Sequence, residues 1–355
     1  MAKKPTSIRQ GVSARGIGME AWTVLIVAVL AMLAFPIRVG ASYTATDTSN
    51  PCAGASGMND AGQILSAFPG SGCLFDNGVW TPIPFPQSNQ EVRDGPNNCG
   101  QVAGTETYEP APGVFTTVAA RWSKLGGVQH LGPMGADEFS EASVINEAGW
   151  AAGSYSVSTG PQLSEGHAFV WVPADSCWSW PPPPNVSPGL HDLGTVEGGD
   201  VSRARYMNDK GQILGWGNTY ADPYRLVPVV WEFAPDGTLV TTVMELGGWT
   251  FNPLHAGINN LGEVVALAGD GTRLVAWQRG AYQSPPQDLG VPPVEFVFGS
   301  PEEPAFYALR LNDMGQVLLS HDFPPVSFDA AFFDPPSAWT RITDYGVRPP
   351  GLGTS

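Results

Sequence analysis

Apolar residues along this chain occur in short runs of about four to six, separated by Gly, Asn, Asp and Pro. Runs of this length between turn-forming residues predict antiparallel β-strands joined by tight turns. In stretches such as AFVWV at 168–172 successive residues are all apolar, so both faces of the strand are expected to be buried. A sheet stacked between two other sheets has this property.

One motif organises these runs: an apolar residue, then Asn-x-x-Gly, then an apolar pair. MNDAGQIL at 58–65 returns as MNDKGQIL at 207–214 and as LNDMGQVL at 311–318, and weaker copies lie at 96–104, 145–153 and 258–266. The six pairs are Asn59 and Gly62, Asn97 and Gly100, Asn146 and Gly149, Asn208 and Gly211, Asn259 and Gly262, and Asn312 and Gly315. Successive asparagines are 38, 49, 62, 51 and 53 residues apart, which indicates a tandem array of similar units with variable loops.

The polar pairs that begin three of these motifs could be read as acids or calcium ligands. They are Asn59-Asp60, Asn208-Asp209 and Asn312-Asp313. Recurrence in every unit instead favours a structural hairpin turn, in which Asn accepts main-chain N–H bonds and tolerates positive φ, and Gly takes the left-handed position. The residue after Asn is interpreted as free to vary, because it is Asn98, Glu147 and Asn260 in the other units.

Two further motifs complete most units. An apolar segment ends in an aromatic residue, most clearly in HAFVW at 167–171, and a closing segment ends in Gly, as in HDLG at 191–194. The acids of the closing motif, Asp192, Glu245, Asp288 and Asp344, are expected to form inter-blade hydrogen bonds. Six units with four apolar segments each predict an all-β fold, a β-propeller of six four-stranded antiparallel blades. Residues 42–48 could be a strand that pairs with the last unit and closes the ring of six blades. They could equally be the remnant of a seventh blade, so seven blades remain an alternative.

The three motifs together resemble the HAF-type extracellular repeat, named for the sequence found here at His167, Ala168 and Phe169. The resemblance extends over residues 53–346. It implies an exported bacterial protein with a propeller-like fold and implies no defined reaction. Only one unit keeps the complete His-Ala-Phe, so this histidine is not expected to carry chemistry.

Residues 1–41 have the features of an export signal. Lys3, Lys4, Arg9 and Arg15 precede an apolar run over 21–35, and Val39-Gly40-Ala41 fits a signal-peptidase site. The run has 15 residues, fewer than the roughly 20 of a membrane span. We expect cleavage, with an uncleaved anchor as the alternative, and residues 42–355 then form a single domain that is not inserted in the membrane.

The exported part is strongly acidic. Residues 1–41 contain five of the 17 basic and one of the 33 acidic residues, which leaves 12 against 32 and a net charge of −20. A polyanion of this kind is repelled by nucleic acid, so no nucleic-acid partner is expected. The expected partner is an unidentified protein or glycan, and the chain is expected to be monomeric.

All four cysteines lie in the exported part, where an even number suggests disulfides. If the units are propeller blades, Cys52 and Cys73 lie on one face, and Cys99 and Cys177 lie on the opposite face of neighbouring blades. The predicted pairs are therefore Cys52–Cys73 and Cys99–Cys177.

Other chemistry is sparse in the sequence. The five histidines have no zinc-motif spacing, and neither a nucleophile elbow nor a P-loop occurs, so no catalytic residue, cofactor or metal is predicted, with calcium as the one alternative. His191 beside Asp192 is the most plausible acid–base pair, although a packing role is favoured. The segment from Tyr282 to Phe306 is rich in proline and is interpreted as a solvent-facing loop.

The insertion ADSCWSWPPPPN at 174–185 departs most from the repeat. Trp178 and Trp180 on this loop could stack on sugar rings or enter a partner's pocket, or could fold over a blade edge. The first hypothesis for function is an exported binding or scaffold module at the cell surface, in the periplasm or outside the cell. The alternative is a propeller enzyme that acts on glycans with carboxylates at one end of its channel.

Overall fold

The computed structural model describes residues 57–68, 71–84, 95–132, 139–160, 163–174, 185–219, 222–268, 273–291, 308–323, 327–333 and 339–342. Every regular element within these ranges is a β-strand, so the all-β prediction is confirmed. Across the same ranges, no helix has the length and apolarity needed to cross a membrane. The predicted signal at 1–41 lies outside the described residues.

The strands form six antiparallel sheets, which follow one another along the chain and define six units. The first sheet contains β1 Gly57–Met58, β2 Ile64–Phe68, β3 Ser71–Asp76 and β4 Val79–Ile83. The second contains β5 Gln101–Ala111, β6 Val114–Ser123 and β7 Gly127–His130. The third contains β8 Ser140–Ile145, β9 Ala151–Gly160, β10 Leu163–Val172 and β11 Gly189–Gly194.

The remaining three sheets have four strands each. The fourth contains β12 Ser202–Met207, β13 Ile213–Thr219, β14 Asp222–Phe233 and β15 Leu239–Val243. The fifth contains β16 Phe251–Ile258, β17 Val264–Ala268, β18 Arg273–Trp277 and β19 Gln287–Gly290. The sixth contains β20 Ala308–Leu311, β21 Val317–Phe323, β22 Ser327–Phe333 and β23 Trp339–Ile342.

Each strand pairs with its neighbour in sequence, so every sheet is a simple up-and-down meander. The second sheet has three strands among the described residues. Its predicted first strand precedes Asn97, where residues 85–94 are outside the description.

Adjacent residues of the middle strands pack against different neighbouring sheets. In β10, Ala168, Val170 and Val172 belong to a buried cluster shared with the fourth sheet. Phe169 and Trp171, which alternate with them, belong to a cluster shared with the second sheet. This is the period of two of a pleated strand, and it explains why the run AFVWV is apolar throughout.

Buried clusters of this kind link each sheet to the next along the chain. They join the first and second, second and third, third and fourth, fourth and fifth, and fifth and sixth sheets. Trp231, with no exposed surface, fills the centre of the cluster between the third and fourth sheets. The core is therefore a series of inter-sheet layers rather than one central cluster.

Tyr282 corrects one part of the sequence interpretation. The proline-rich sequence predicts the start of a solvent-facing loop here, yet Tyr282 is 5% exposed and packs in the cluster between the fourth and fifth sheets. Its hydroxyl donates to the carbonyl oxygen of Gly262. An aromatic ring beside several prolines has no strand periodicity, so only the packing reveals its place.

Candidate functional site

All six Asn-x-x-Gly motifs form the same hairpin turn. In the fourth unit, the N–H of Asn208 donates to the carbonyl of Gln212 (3.0 Å), and the N–H of Gly211 donates to the carbonyl of Asn208 (3.1 Å). The corresponding two bonds occur in the other five turns. Each motif glycine has a positive φ, in the range where glycine carries no steric cost: Gly62 77°, Gly100 68°, Gly149 80°, Gly211 77°, Gly262 79° and Gly315 74°.

The asparagine side chain is required for hydrogen bonding and not for positive φ. Among the described residues, the non-glycine residues with positive φ are Asn77 and Asn185, and neither belongs to the motif. The Oδ1 of Asn208 accepts the N–H of Gln212 (2.9 Å), and its Nδ2 donates to Oε1 of the same Gln212 (2.8 Å). The other Nδ2 hydrogen goes to the carbonyl of Asn259 in the next unit, at 2.7 Å. Aspartate would keep the acceptor and lose both donors.

Bonds of this last kind connect the units in order. The Nδ2 of each asparagine donates to the main-chain carbonyl of the next: Asn59 to Asn97 (2.8 Å), Asn97 to Asn146 (3.1 Å), Asn146 to Asn208 (3.2 Å), Asn208 to Asn259 (2.7 Å) and Asn259 to Asn312 (3.0 Å). Within the described residues the series ends at Asn312, whose Nδ2 donates to Oε1 of Gln316 (2.8 Å). We call this the asparagine series.

The residue that follows each asparagine forms a second, parallel series. Its main-chain N–H donates to a side-chain oxygen of the same position in the next unit: Asp60 to Asn98 (2.9 Å), Asn98 to Glu147 (2.8 Å), Glu147 to Asp209 (3.1 Å), Asp209 to Asn260 (2.8 Å) and Asn260 to Asp313 (2.7 Å). The interpretation that this position varies freely was wrong. It varies among Asp, Asn and Glu because each supplies an acceptor oxygen at the end of a short side chain.

Members of both series line a cavity of about 280 Å³, to which all six units contribute residues. The residue before each motif asparagine contributes an apolar side chain to the wall. This apolar collar consists of Met58, Pro96, Ile145, Met207, Ile258 and Leu311. The turns contribute Asp60, Glu147 and Asp209, and β20 contributes Arg310. The cavity therefore combines an apolar wall with three carboxylates and one guanidinium.

Glu147 has the most perturbed carboxylate of this cavity. Partial burial raises its pKa above the usual value, and the negative charges of Asp209 and Asp60 raise it further, against the lowering effect of the N–H of Asn98. Asp60 belongs to the first unit, Asp209 to the fourth and Glu147 to the third. Negatively charged side chains of separate units therefore lie close enough in the cavity to affect one another.

The acids of the closing motif bond mainly within their own units. Asp192, Glu245 and Asp288 each accept the N–H of the glycine two residues later, at 2.8 Å in every case. The expected inter-blade hydrogen bonds were wrong for Asp192 and Asp288, whose bonds lie within one unit. Glu245 does bond to the next unit, through its main chain: its N–H donates to the carbonyl of Tyr282 (2.8 Å), and its carbonyl accepts from Nε1 of Trp277 (2.9 Å). Asp344 lies outside the described residues.

The histidine of His-Ala-Phe pairs with a closing acid. His167 Nδ1 is 3.0 Å from both carboxylate oxygens of Asp192. Arg273, which takes the position of His167 in the fifth unit (RLVAW at 273–277), forms an ion pair with Asp288 and lowers the pKa of that carboxyl. His191, the histidine singled out from the sequence beside Asp192, instead bonds to the carbonyl of Ser187 (2.7 Å) and packs on Phe233. The packing role favoured for His191 thus agrees with its contacts.

An ion pair outside the repeat, in which the carboxylate is buried and the guanidinium is partly exposed, also joins two units. Glu141 is 3% exposed, and its Oε1 accepts from Ser154 Oγ (3.0 Å) and from Arg203 Nη1 (2.9 Å) of the following unit. The Arg203 guanidinium also lies over the ring of Trp216, 5.7 Å from its centroid. The repeat gave no signal for this pair because the other units have no equivalent motif.

The remaining predicted site residues fall partly outside the description. Trp178, Trp180, Cys52 and Cys177 are not among the described residues. Cys73 is buried in β3, Cys99 lies in the turn after Asn97, and neither is a free thiol. Their pairing stays a prediction. Across the described ranges, no group of three His, Cys, Asp or Glu side chains could hold a metal ion.

The fold and the cavity together define a propeller-like, all-β repeat protein. No protein-family model matches the chain, and no curated protein sequence is significantly similar to it. Among solved structures, the chain is similar to virginiamycin B lyase from Staphylococcus aureus, with a TM-score of 0.43, 10% identity, and coverage of 84% of this chain and 86% of that one. It is also similar to a puromycin hydrolase, with a TM-score of 0.44, 11% identity, and coverage of 80% of this chain and 44% of that one.

Proposed function

We propose that the chain is an exported β-propeller of six four-stranded blades that acts as a binding or scaffold module at the cell surface, in the periplasm or outside the cell. The convergence of all six units on one cavity carries the proposal. The polar groups of the repeated turns hold neighbouring units together and so support the walls of this cavity. The cavity and the loops outside the repeat are then the surfaces available to a ligand.

Membership of the HAF-type extracellular repeat family and export through residues 1–41 are parts of the same proposal. Three motifs spread over six units support the family. The leader and the even number of cysteines support export. A peptide map of the non-reduced protein tests the cysteines, with Cys52–Cys73 and Cys99–Cys177 as the expected links. A Cys73–Cys99 link would contradict the assumed arrangement of units.

A binding screen tests the function. Residues 42–355 would be screened against glycans and cell-envelope components, with and without calcium. Replacing Trp178 and Trp180 by alanine is expected to weaken binding if the loop over 174–185 contacts the ligand. Phe115→Ala, which removes an aromatic side chain that is 69% exposed in another turn, is the matched control. Equal loss in both variants would exclude the loop, and no binding by the parent chain would reject the proposal.

The second candidate is a glycan-acting enzyme, and the environment of Glu147 favours it. A carboxyl with a raised pKa near the carboxyl groups of Asp209 and Asp60 is the pairing that general acid catalysis requires. Against this, the Oε2 of Glu147 and the Oδ1 of Asp209 already accept main-chain N–H groups of the adjacent turn. Release of reducing sugar from a glycan panel that disappears in Glu147→Gln would support the enzyme over the binding module.

A further inference from the structure

The central cavity has two tiers of different chemistry. The apolar collar forms one tier, and its members immediately precede the turns that carry the carboxylates of the other tier. Asp60 is exposed, whereas Glu147 and Asp209 are partly buried, so the carboxylate tier meets the solvent on the side of the first unit. Met58 of the collar also belongs to the first unit and is 68% exposed, so an apolar surface lies on the same solvent-facing side of the cavity.

Charge complementarity selects the kind of occupant. Among the described residues, three carboxylates and the guanidinium of Arg310 line the cavity, so the described part of the lining has a net negative charge. Asp313, which bonds to Asn260 in the neighbouring turn, adds a further negative charge nearby. The exported part as a whole carries a large negative charge, so cations are drawn towards it. Burial is the main cause of the raised pKa of Glu147, and the negative charges of Asp209 and Asp60 add to it.

Asp209 keeps the capacity to accept further hydrogen bonds. Asp209 uses Oδ1 for the N–H of Glu147 and Oδ2 for Nδ2 of Asn260. A carboxylate has about four acceptor positions, so about two remain on Asp209. A group with several N–H donors and a positive charge fits these positions, and a primary ammonium supplies three.

We propose that this cavity binds a small aliphatic primary amine in its ammonium form, with the charged nitrogen at Glu147 and Asp209 and the apolar body against the collar. The inference rests on the proposed binding function and names a ligand class for it. The size of the cavity favours a free amine of a few carbons, since pockets for drug-sized molecules measure about 300–1,000 Å³. Neutral and anionic molecules of the same shape would lose the interaction with the carboxylates.

Isothermal titration calorimetry with n-butylammonium chloride on residues 42–355 tests the proposal. Butan-1-ol and sodium butyrate serve as the neutral and anionic analogues. The test variant is Glu147→Gln with Asp209→Asn, which keeps an acceptor oxygen at each position and removes both charges. Asn98 and Asn260 occupy the same position in two other units, so the turn accommodates the amide. Asp236→Asn, at an exposed hairpin away from the cavity, is the single-charge control and is compared with Asp209→Asn alone.

The parent chain and Asp236→Asn are expected to bind n-butylammonium with similar affinity, and the double variant to bind it roughly tenfold more weakly. Binding should also weaken as salt screens the carboxylates and as pH falls through the pKa of Glu147. Unchanged affinity in the double variant, or equal binding of butan-1-ol or butyrate, would overturn the proposal. So would an absence of binding by the parent chain. Should the double variant fail to fold by circular dichroism, Asp209→Asn alone decides the outcome.

The two proposals fail in distinguishable ways. A glycan or envelope component that binds the parent chain and the double variant equally would leave the binding module intact and reject the amine site. Binding of n-butylammonium without any macromolecular ligand in the screen would support the cavity assignment and reject the scaffold role at the cell surface.

Discussion

Replacing Asn208 by aspartate isolates the contribution of one link of the asparagine series. The two side chains have the same shape, and the introduced carboxylate would still accept the N–H of Gln212. Both donors are lost, however, and the carboxylate would face the Gln212 Oε1 and the Asn259 carbonyl, which are 2.8 and 2.7 Å from Nδ2 in the parent chain. Asn208 is 4% exposed, so water cannot replace these bonds.

The expected cost follows from these contacts. Two buried hydrogen bonds are worth about 1 kcal/mol each, and leaving acceptors buried and unsatisfied adds about 1–3 kcal/mol. The sum is about 3–5 kcal/mol. In a domain of this size 1 kcal/mol corresponds to a shift of about 2 °C in Tm, so Asn208→Asp should melt about 6–10 °C below the parent chain at neutral pH.

Asn312→Asp is the matched control because Asn312 ends the series. It is exposed, and its Nδ2 donates within its own turn to Gln316. Its replacement should cost less than about 1 kcal/mol. Thermal melts followed by circular dichroism, together with urea titration, measure both variants. Equal destabilisation by the two substitutions, or a shift below about 2 °C for Asn208→Asp, would show that the bonds between units contribute little to stability.

Four other substitutions test three separate features. Gly62→Ala and Gly211→Ala both force alanine to φ +77°, but a Cβ at Gly62 meets nothing within 4 Å and one at Gly211 meets the Trp150 ring at 2.9 Å. We expect about 1 kcal/mol for the first and about 2–4 kcal/mol for the second in urea titrations, and equal costs would contradict the contact with Trp150. Tyr282→Phe should cost about 1–2 kcal/mol and should remove a phenol from the ultraviolet titration near pH 12, since burial and then the charge of Glu232 raise the pKa of Tyr282 to about 12. Because the pKa of Glu147 is raised in the folded state, its contribution to stability is present below its ordinary pKa and is lost as pH rises through the folded pKa. The stability of the parent chain relative to Glu147→Gln should therefore fall over that interval, and a rise in urea titrations at stepped pH would refute the sign.

The repeat predicted the architecture because each strand and each turn has a recognisable sequence pattern of its own. Glycine at 62, 100 and 211 marks a left-handed turn, and the run AFVWV marks a strand with two buried faces. Both signals are local in sequence and depend on main-chain sterics and side-chain burial. The blade number is a weaker inference, because it depends on how the first and last units meet rather than on any one unit.

The functional geometry was less visible because it depends on contacts across about 40–60 residues of sequence. Glu147 looked like a variable turn residue, and only its bonds to Asn98 and Asp209 show why an acceptor oxygen is needed there. The apolar residue before each asparagine was recognised as part of the motif. That Met58 and Leu311 line the same cavity could not be read from either motif alone.

The asparagine series uses one donor and one acceptor at every junction, always directed from a unit to its successor. This hydrogen bond can form between any two units, because it needs only the asparagine that follows the first strand of each unit. Duplication or loss of a whole unit would then preserve the asparagine hydrogen bond at every remaining junction. Unequal recombination within the gene would accordingly be tolerated when its breakpoints fall at equivalent turns.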